Sequence, residues 1–352
     1  MRDLALIGGF AGGVGLFLLG MGLMTDGLKL AAGPALERVL ARWTRTRLRG
    51  LVSGALVTIL VQSSSAVTVA TIGFVNAGLL SLGQSLWVLF GANVGTTMTG
   101  WLVALVGMQF EIDLLALPLI GLGMLLRLTG EGSRRGALGT ALAGFGVLFL
   151  GIDLLKDAFS GPVGGFTLPH WDGPLGLLAL VLAGILMTVL MQASAAALVL
   201  AFTAAQGGML GVDAAAAVVI GANVGTTVTA VIATLGATSN AKRAAAAHVL
   251  FNVLTAVVAL ILLPWLLAAL GALRAALGLD SAPAARLALF HTAFNVLGVL
   301  LIWPLAGRLT VFLEQRFRSA EEDEARPRHL DRTVLAVPAL ALDALDREVR
   351  RM

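Results

Sequence analysis

Two polar motifs, each written twice inside apolar sequence, hold most of the residues of this chain that could do chemistry. Val57-Thr58-Ile59-Leu60-Val61-Gln62-Ser63-Ser64-Ser65-Ala66 returns as Met187-Thr188-Val189-Leu190-Met191-Gln192-Ala193-Ser194-Ala195-Ala196. Gly91-Ala92-Asn93-Val94-Gly95-Thr96-Thr97 returns as Gly221-Ala222-Asn223-Val224-Gly225-Thr226-Thr227, at the same offset of 130 residues. Two polar elements repeated with one spacing imply a single site built from two related halves. The apolar setting implies that the site lies in a membrane.

Gln and Ser offer both donors and acceptors, and in hydrocarbon such groups are costly unless paired or facing a polar cavity. A helix starting just after Gln62 would aim its free N–H groups and the positive end of its dipole at the tip, which suits an anion. Ser63, Ser64 and Ser65 add hydroxyls. The second tip keeps Gln192 and Ser194 but has Ala193 and Ala195, so the first half is richer in donors. Glycines in the second motif permit a backbone break that exposes carbonyls beside the Asn amide and the Thr hydroxyls. Carbonyl and hydroxyl oxygens suit a small alkali cation. Asn93 and Asn223 either join the site or steady the neighbouring tip. The competing reading of both motifs is close helix packing, for which Gly, Ser and Thr also serve.

The remaining ionisable groups point to no enzyme. Asp26 and Asp157 fall near expected membrane faces, Asp213 marks the start of a span, and Asp153 lies deeper, where a coupling role is open. His248 and His291 read as packing histidines, each in a similar pentad, His248-Val249-Leu250-Phe251-Asn252 and His291-Thr292-Ala293-Phe294-Asn295. No cluster has metalloenzyme spacing, and no nucleophile, base and orienter can be assembled. Cysteine is absent, which removes disulfides, thiolate metal sites and cysteine nucleophiles.

The elements that must position the motifs follow from composition. The 352 residues are 58% hydrophobic and 12% charged, against about 45–50% and 25% in soluble domains. The chain is therefore an integral membrane protein. Its net charge of +4 is too small and scattered for a nucleic-acid partner. The apolar run to Met24 reads as a first span rather than a signal peptide. Spans are expected near 4–26, 84–106, 112–128, 137–156, 211–235, 244–269 and 286–312. Stretches 51–78 and 175–206 are long enough to cross, but the Gln-containing tips interrupt them. Re-entrant hairpins of two half-helices, each of about 10–14 residues, fit better.

Charge placement orients these spans. Lys29, Arg38, Arg42, Arg45, Arg47 and Arg49 cluster before the first hairpin, and Arg127, Arg134, Arg135, Lys242, Arg243, Arg316 and Arg318 mark other basic connections. Residues 107–113 carry Glu111 and Asp113, and 157–173 carry two aspartates and His170 without Lys or Arg. The positive-inside rule puts the basic segments in the cytoplasm, which sets the N-terminus outside and the C-terminal tail inside. The hairpins then enter from opposite faces. The fold class is an all-α polytopic membrane protein, an inverted repeat with two re-entrant helical hairpins. Its parts are 1–130 as the first membrane repeat, 131–270 as the second and inverted one, 271–318 as an extra span, and 319–352 as a cytoplasmic linker with a short amphipathic helix near 335–351.

The Gln62–Ser65 motif, the paired Gly-Ala-Asn-Val-Gly-Thr-Thr motifs and the 130-residue repeat resemble the sodium-dependent phosphate cotransporter family, in its bacterial branch, over about residues 4–315. That resemblance implies symport of inorganic phosphate with sodium across the bacterial plasma membrane. It implies a substrate region of Gln62, Ser63, Ser64, Ser65, Gln192 and Ser194, with Asn93 and Asn223. Sodium candidates are Thr96, Thr97, Thr226, Thr227, Ser64 and Ser194, and sodium is a coupling ion, with no other cofactor. The partners implied are phosphate, sodium, membrane lipids and a cytosolic regulatory domain or protein reached through the C-terminal segment. Ala193 and Ala195 depart from the family pattern. Competing readings are a sodium-coupled carrier of sulfate or a carboxylate, a regulatory membrane protein without net flux, and a channel.

Overall fold

The computed structural model describes residues 2–109, 112–160, 173–278, 282–318 and 338–351. Glu111, the segment 161–172 with His170, and the acidic linker 319–337 lie outside the described residues. Helices joined by turns make up the rest, with no strand among the described residues. Seven of these helical segments are long and apolar enough to cross a membrane. This is a multi-pass all-α membrane protein.

The chain opens with α1 (Arg2–Ala32) and α2 (Pro34–Arg42). The first hairpin motif forms α3 (Arg47–Val61) and α4 (Ser64–Asn76), followed by the long α5 (Leu82–Gln109). α6 (Ile112–Thr129) and α7 (Arg134–Ser160) lead to the second unit. There α8 (Pro174–Met191) and α9 (Ser194–Gln206) precede α10 (Val212–Gly225) and α11 (Thr227–Ile232). Length and apolarity alone would rank α8 as a crossing and put α6, expected as a span, among the shorter helices. The first arms, α3 and α8, are also longer than the half-helices expected.

Two expected spans end early, each at a proline that cannot supply the next helical N–H. The helix expected over 244–269 divides into α12 (Ser239–Ile261) and α13 (Leu263–Ala276), with Pro264 in the first turn of α13. The one expected over 286–312 divides into α14 (Pro283–Ile302) and α15 (Ala306–Glu314), with Pro304 in the turn between them. The tail forms α16 (Pro338–Arg351), the amphipathic helix expected there.

Glycines set the register between helices. Gly50 packs on Trp87, Gly54 on the Val88 carbonyl, Gly91 on the Leu51 carbonyl and Gly95 on Thr58. A Cβ at Gly54 or Gly91 would fall on the facing carbonyl oxygen. These contacts make α3 and α5 parallel. Gln62 is level with Thr99, and the start of α5 is level with the start of α3. α4 therefore brings the chain back, and 47–76 is a helical hairpin whose ends share one side. Three of these four contacts recur at the 130-residue offset: Gly184 on Val218, Gly221 on Val181, Gly225 on Thr188. Even the closing turns match. Gly78 (φ 71°) and Gly208 (φ 76°) take left-handed backbone, and the next N–H bonds Phe74 O at 2.8 Å or Ala204 O at 2.9 Å.

The two hairpin mouths sit at opposite ends of one helix. Arg47 Nη1 donates to the Trp303 carbonyl (3.4 Å) just past the end of α14, while the Ala284 N–H at its start donates to Gln206 Oε1 (3.4 Å). The 20 residues of α14 span about 30 Å. Between the units, α1 and α7 pack antiparallel and reciprocally. Gly20 meets Leu148 and Gly151 meets Phe17; Gly13 meets Leu155 and Gly144 meets Met24. Each contact has a mate 131 residues along with the roles exchanged, as at a self-complementary two-fold interface.

Candidate functional site

Each hairpin breaks at its glutamine. Gln62 (φ 55°) and Gln192 (φ 52°) adopt the left-handed conformation, unusual for a residue with a Cβ. The side chain offsets that cost by capping the arm it ends. Gln62 Nε2 donates to Ile59 O (2.6 Å), and Gln192 Nε2 donates to Val189 O (2.7 Å), occupying carbonyls that the helix end leaves open. The sequence suggested glutamine as a ligand; the structure adds a capping role.

Around this common backbone the tips differ. In the first, Gln62 Oε1 accepts from the Thr99 hydroxyl at 3.1 Å. In the second, Thr229 stands at the equivalent position but donates to Thr226 O (2.8 Å), and Gln192 is exposed. Ser63 caps α4, its Oγ accepting from the Ala66 N–H (3.2 Å), whereas Ala193 has the same extended backbone and no capping side chain. Ser64 is buried; Ser65 and Ser194 are half-buried. Among the described residues no protein group bonds their hydroxyls. The N–H groups of Ser64 and Ser65, in the first turn of α4, have no intrahelical acceptor. No hydrogen bond among the described residues joins one tip to the other.

The glycine motif corrects an expectation. α5 runs unbroken through Gly91–Thr97, so no carbonyls are exposed there; Gly91 and Gly95 serve the approach of α3 instead. The second copy is interrupted at Thr226, but its backbone stays right-handed (φ −61°, ψ −22°). All four threonine hydroxyls donate to a backbone carbonyl three or four residues earlier: Thr96 to Ala92 O (3.0 Å), Thr97 to Val94 O (2.7 Å), Thr226 to Asn223 O (2.6 Å) and Thr227 to Val224 O (2.8 Å). Their oxygen lone pairs remain usable by a cation.

The asparagines diverge more. Asn223 Nδ2 donates to Asn252 Oδ1 (2.9 Å) and Asn295 Oδ1 (3.3 Å), tying α10 to α12 and α14. Asn252 and Asn295 donate in turn to His248 O and His291 O, each at 2.9 Å. The paired His-to-Asn pentads thus supply the partners of the motif asparagine. Asn93 is equally buried, but its Nδ2 has no partner. Thr58 and Thr188, facing Gly95 and Gly225, also bury unpaired hydroxyls. Sequence reasoning missed Thr99, Thr58 and Thr188. The signal was available for each: Thr58 and Thr188 stand inside the first motif, and Thr99 and Thr229 keep the 130-residue offset two residues past the second. Of the carboxylates, Asp26 is exposed, 3.9 Å from Lys29, Asp213 lies in the first turn of α10, and Asp153 is half-buried on α7.

Relatives share this region. The family described as Na+/Pi-cotransporter matches residues 16–157 and 177–281, which include both tips and both glycine motifs. Protein YqeW of Bacillus subtilis (strain 168), itself uncharacterized, is 33% identical over 306 residues, covering 83% of this chain and 92% of YqeW. YjbB of Escherichia coli (strain K12), provisionally named an inorganic phosphate export protein, is 30% identical over 345 residues. That match covers 96% of this chain but 61% of YjbB, so the chain spans about three-fifths of that relative. Sodium-dependent phosphate transport protein 2A of Oryctolagus cuniculus is 46% identical over 56 residues, 16% of this chain and 9% of that protein. No solved structure matches the chain.

Proposed function

The chain belongs to the Na+/Pi-cotransporter family, and on that footing we propose that it carries inorganic phosphate across a membrane by sodium-coupled symport with alternating access. One observation carries the reading beyond the family name: the start of α4 presents unpaired Ser64 and Ser65 hydroxyls and free N–H groups, in a stretch, 50–126, that contains no Lys or Arg. Neutral donors at a helix N-terminus suit an oxyanion, and bound sodium would offset its charge. In this reading Gln62, Ser63, Ser64, Ser65, Asn93, Gln192, Ser194 and Asn223 form or support the phosphate site. The oxygens of Thr96, Thr97, Thr226, Thr227, Ser64 and Ser194 serve sodium.

The hairpins are read as re-entrant, and 1–130 and 131–270 as an inverted repeat, with 271–318 as an extra span. The setting is the bacterial plasma membrane, with the 319–352 tail cytoplasmic and available to a regulatory partner. Net inward charge movement would supply about 2.3 kcal/mol per charge per 100 mV.

Radiolabelled phosphate uptake into proteoliposomes tests this. An inward sodium gradient drives accumulation, and potassium in its place does not. Ser64→Ala lowers uptake about ten-fold or more, as loss of a hydrogen bond to an anion implies. Unchanged uptake in both Ser64→Ala and Gln62→Ala would put the substrate elsewhere, and equal uptake in potassium would end the sodium coupling. Excess sulfate abolishing phosphate uptake would favour another anion. The name of the E. coli relative supports a second reading, phosphate export, which predicts efflux from phosphate-loaded vesicles without sodium-driven accumulation.

A further inference from the structure

At the mouth of the first hairpin, away from its tip, an open cavity of about 270 Å³ is lined by Thr44, Arg45, Arg47, Ser81 and Gln84, with the start of α15 as a further wall. Three helices begin here. α3 starts at Arg47, capped by Thr46, which accepts from the Arg49 N–H (3.3 Å). α5 starts beside Ser81 and Gln84, which cap each other: the Gln84 N–H donates to Ser81 Oγ (3.3 Å) and the Ser81 N–H to Gln84 Oε1 (3.0 Å). Because α3 and α5 are parallel, their positive ends lie side by side.

Arg45 and Arg47 add full charges. Arg47 lies over the Trp87 ring (5.5 Å) and gives one nitrogen to the Trp303 carbonyl, which leaves other donors of its fork for a ligand. No lining residue is acidic. An independent observation points the same way: Thr44 on the cavity wall is 2% exposed, and its hydroxyl has no partner.

The duplication provides an internal control. At the second mouth Leu175, Leu177, Gly211 and Asp213 stand where the first has Arg45, Arg47, Ser81 and Gly83. The hairpin fold therefore does not require the basic lining. We propose that the first mouth is a second anion site, about 22 Å along α3 from the Gln62 tip, that takes a phosphate group from inorganic phosphate or from a lipid headgroup. The convergence of helix N-termini with paired guanidinium groups matches a tetrahedral oxyanion. The site stands apart from the transport reading and does not depend on it.

Phenylglyoxal modification of arginine, read residue by residue by mass spectrometry on the full chain, tests the site. In maltoside micelles, inorganic phosphate slows modification of Arg45 and Arg47 about ten-fold against chloride of equal ionic strength, with exposed Arg49 unaffected. Protection without added phosphate in phosphatidylglycerol nanodiscs identifies a headgroup instead. Ser81→Asp keeps a good helix cap while placing a carboxylate in the cavity, and it abolishes protection; Ser81→Asn retains it. Ser64→Ala also leaves it intact, which separates this site from the tip. Protection absent in both settings, or undiminished in Ser81→Asp, overturns the proposal.

Discussion

The two hairpins share a backbone and differ in what hangs from it. Both break at a left-handed glutamine that caps its own arm, and both lean on the next helix through glycines at equivalent positions. Yet the first tip has a serine cap and a Thr99–Gln62 bond, and the second has neither. The asparagines reverse the contrast: Asn223 is fully engaged, while the Asn93 amide is left unpaired. The second half, with Ala193 and Ala195, shows that the scaffold stands without hydroxyls at the positions of Ser63 and Ser65. The hairpin backbone therefore does not depend on the extra hydroxyls of the first half, although Ser63 caps α4.

This contrast can be broken in three ways. The largest effect is expected where the halves agree. Gly91→Val and Gly221→Val each drive a side chain into a facing carbonyl, and each costs more than about 4 kcal/mol. Neither variant should survive solubilisation as a monodisperse species on size exclusion. If only one collapses, the equivalence of the seams is wrong.

Next come the asparagines. Asn223→Leu strands two buried amide oxygens, a loss of about 2–3 kcal/mol in denaturant unfolding in micelles. Asn93→Leu removes a buried amide nitrogen that has no partner, so stability is unchanged or rises by about 1 kcal/mol while phosphate uptake falls. Equal destabilisation of the two would show that Asn93 is also paired.

The smallest effect exchanges the caps. Ser63→Ala costs about 1 kcal/mol, and Ala193→Ser gains a similar amount. Thermal unfolding should separate the two variants with opposite signs.

The features legible in sequence were those fixed by residue type and spacing. The duplicated motifs located both tips and the richer one. Gly91, Gly95, Gly221 and Gly225 were visible as a packing alternative, and packing is their role in the structure; Gly54 and Gly184, outside the motifs, were not singled out. Glutamine gave no hint of left-handed backbone, because glycine or asparagine normally fills that conformation and the capping amide shows only in three dimensions. The Asn223–Asn252–Asn295 cluster joins residues far apart in the chain, and the pentads revealed likeness without contact. Pro264 and Pro304 were present in the sequence, but long apolar runs concealed the helix ends they impose.

The glycine seams also have a mechanical consequence. Where two helices touch backbone to backbone, sliding by one residue would drive Phe90 or Ala92 into the Leu51 carbonyl, so the seam behaves as a weld. Such welds join α3 to α5, α8 to α10, and α1 and α6 to α7. Other contacts are made by bulky side chains, such as Phe90 on Phe251 (4.5 Å) and Phe202 beside Gly100, or by side-chain hydrogen bonds such as those of Asn223 to α12 and α14. The welds thus gather these helices into three backbone-locked groups. Each tip is bound to the helix after it, and any large displacement must carry the two as one piece.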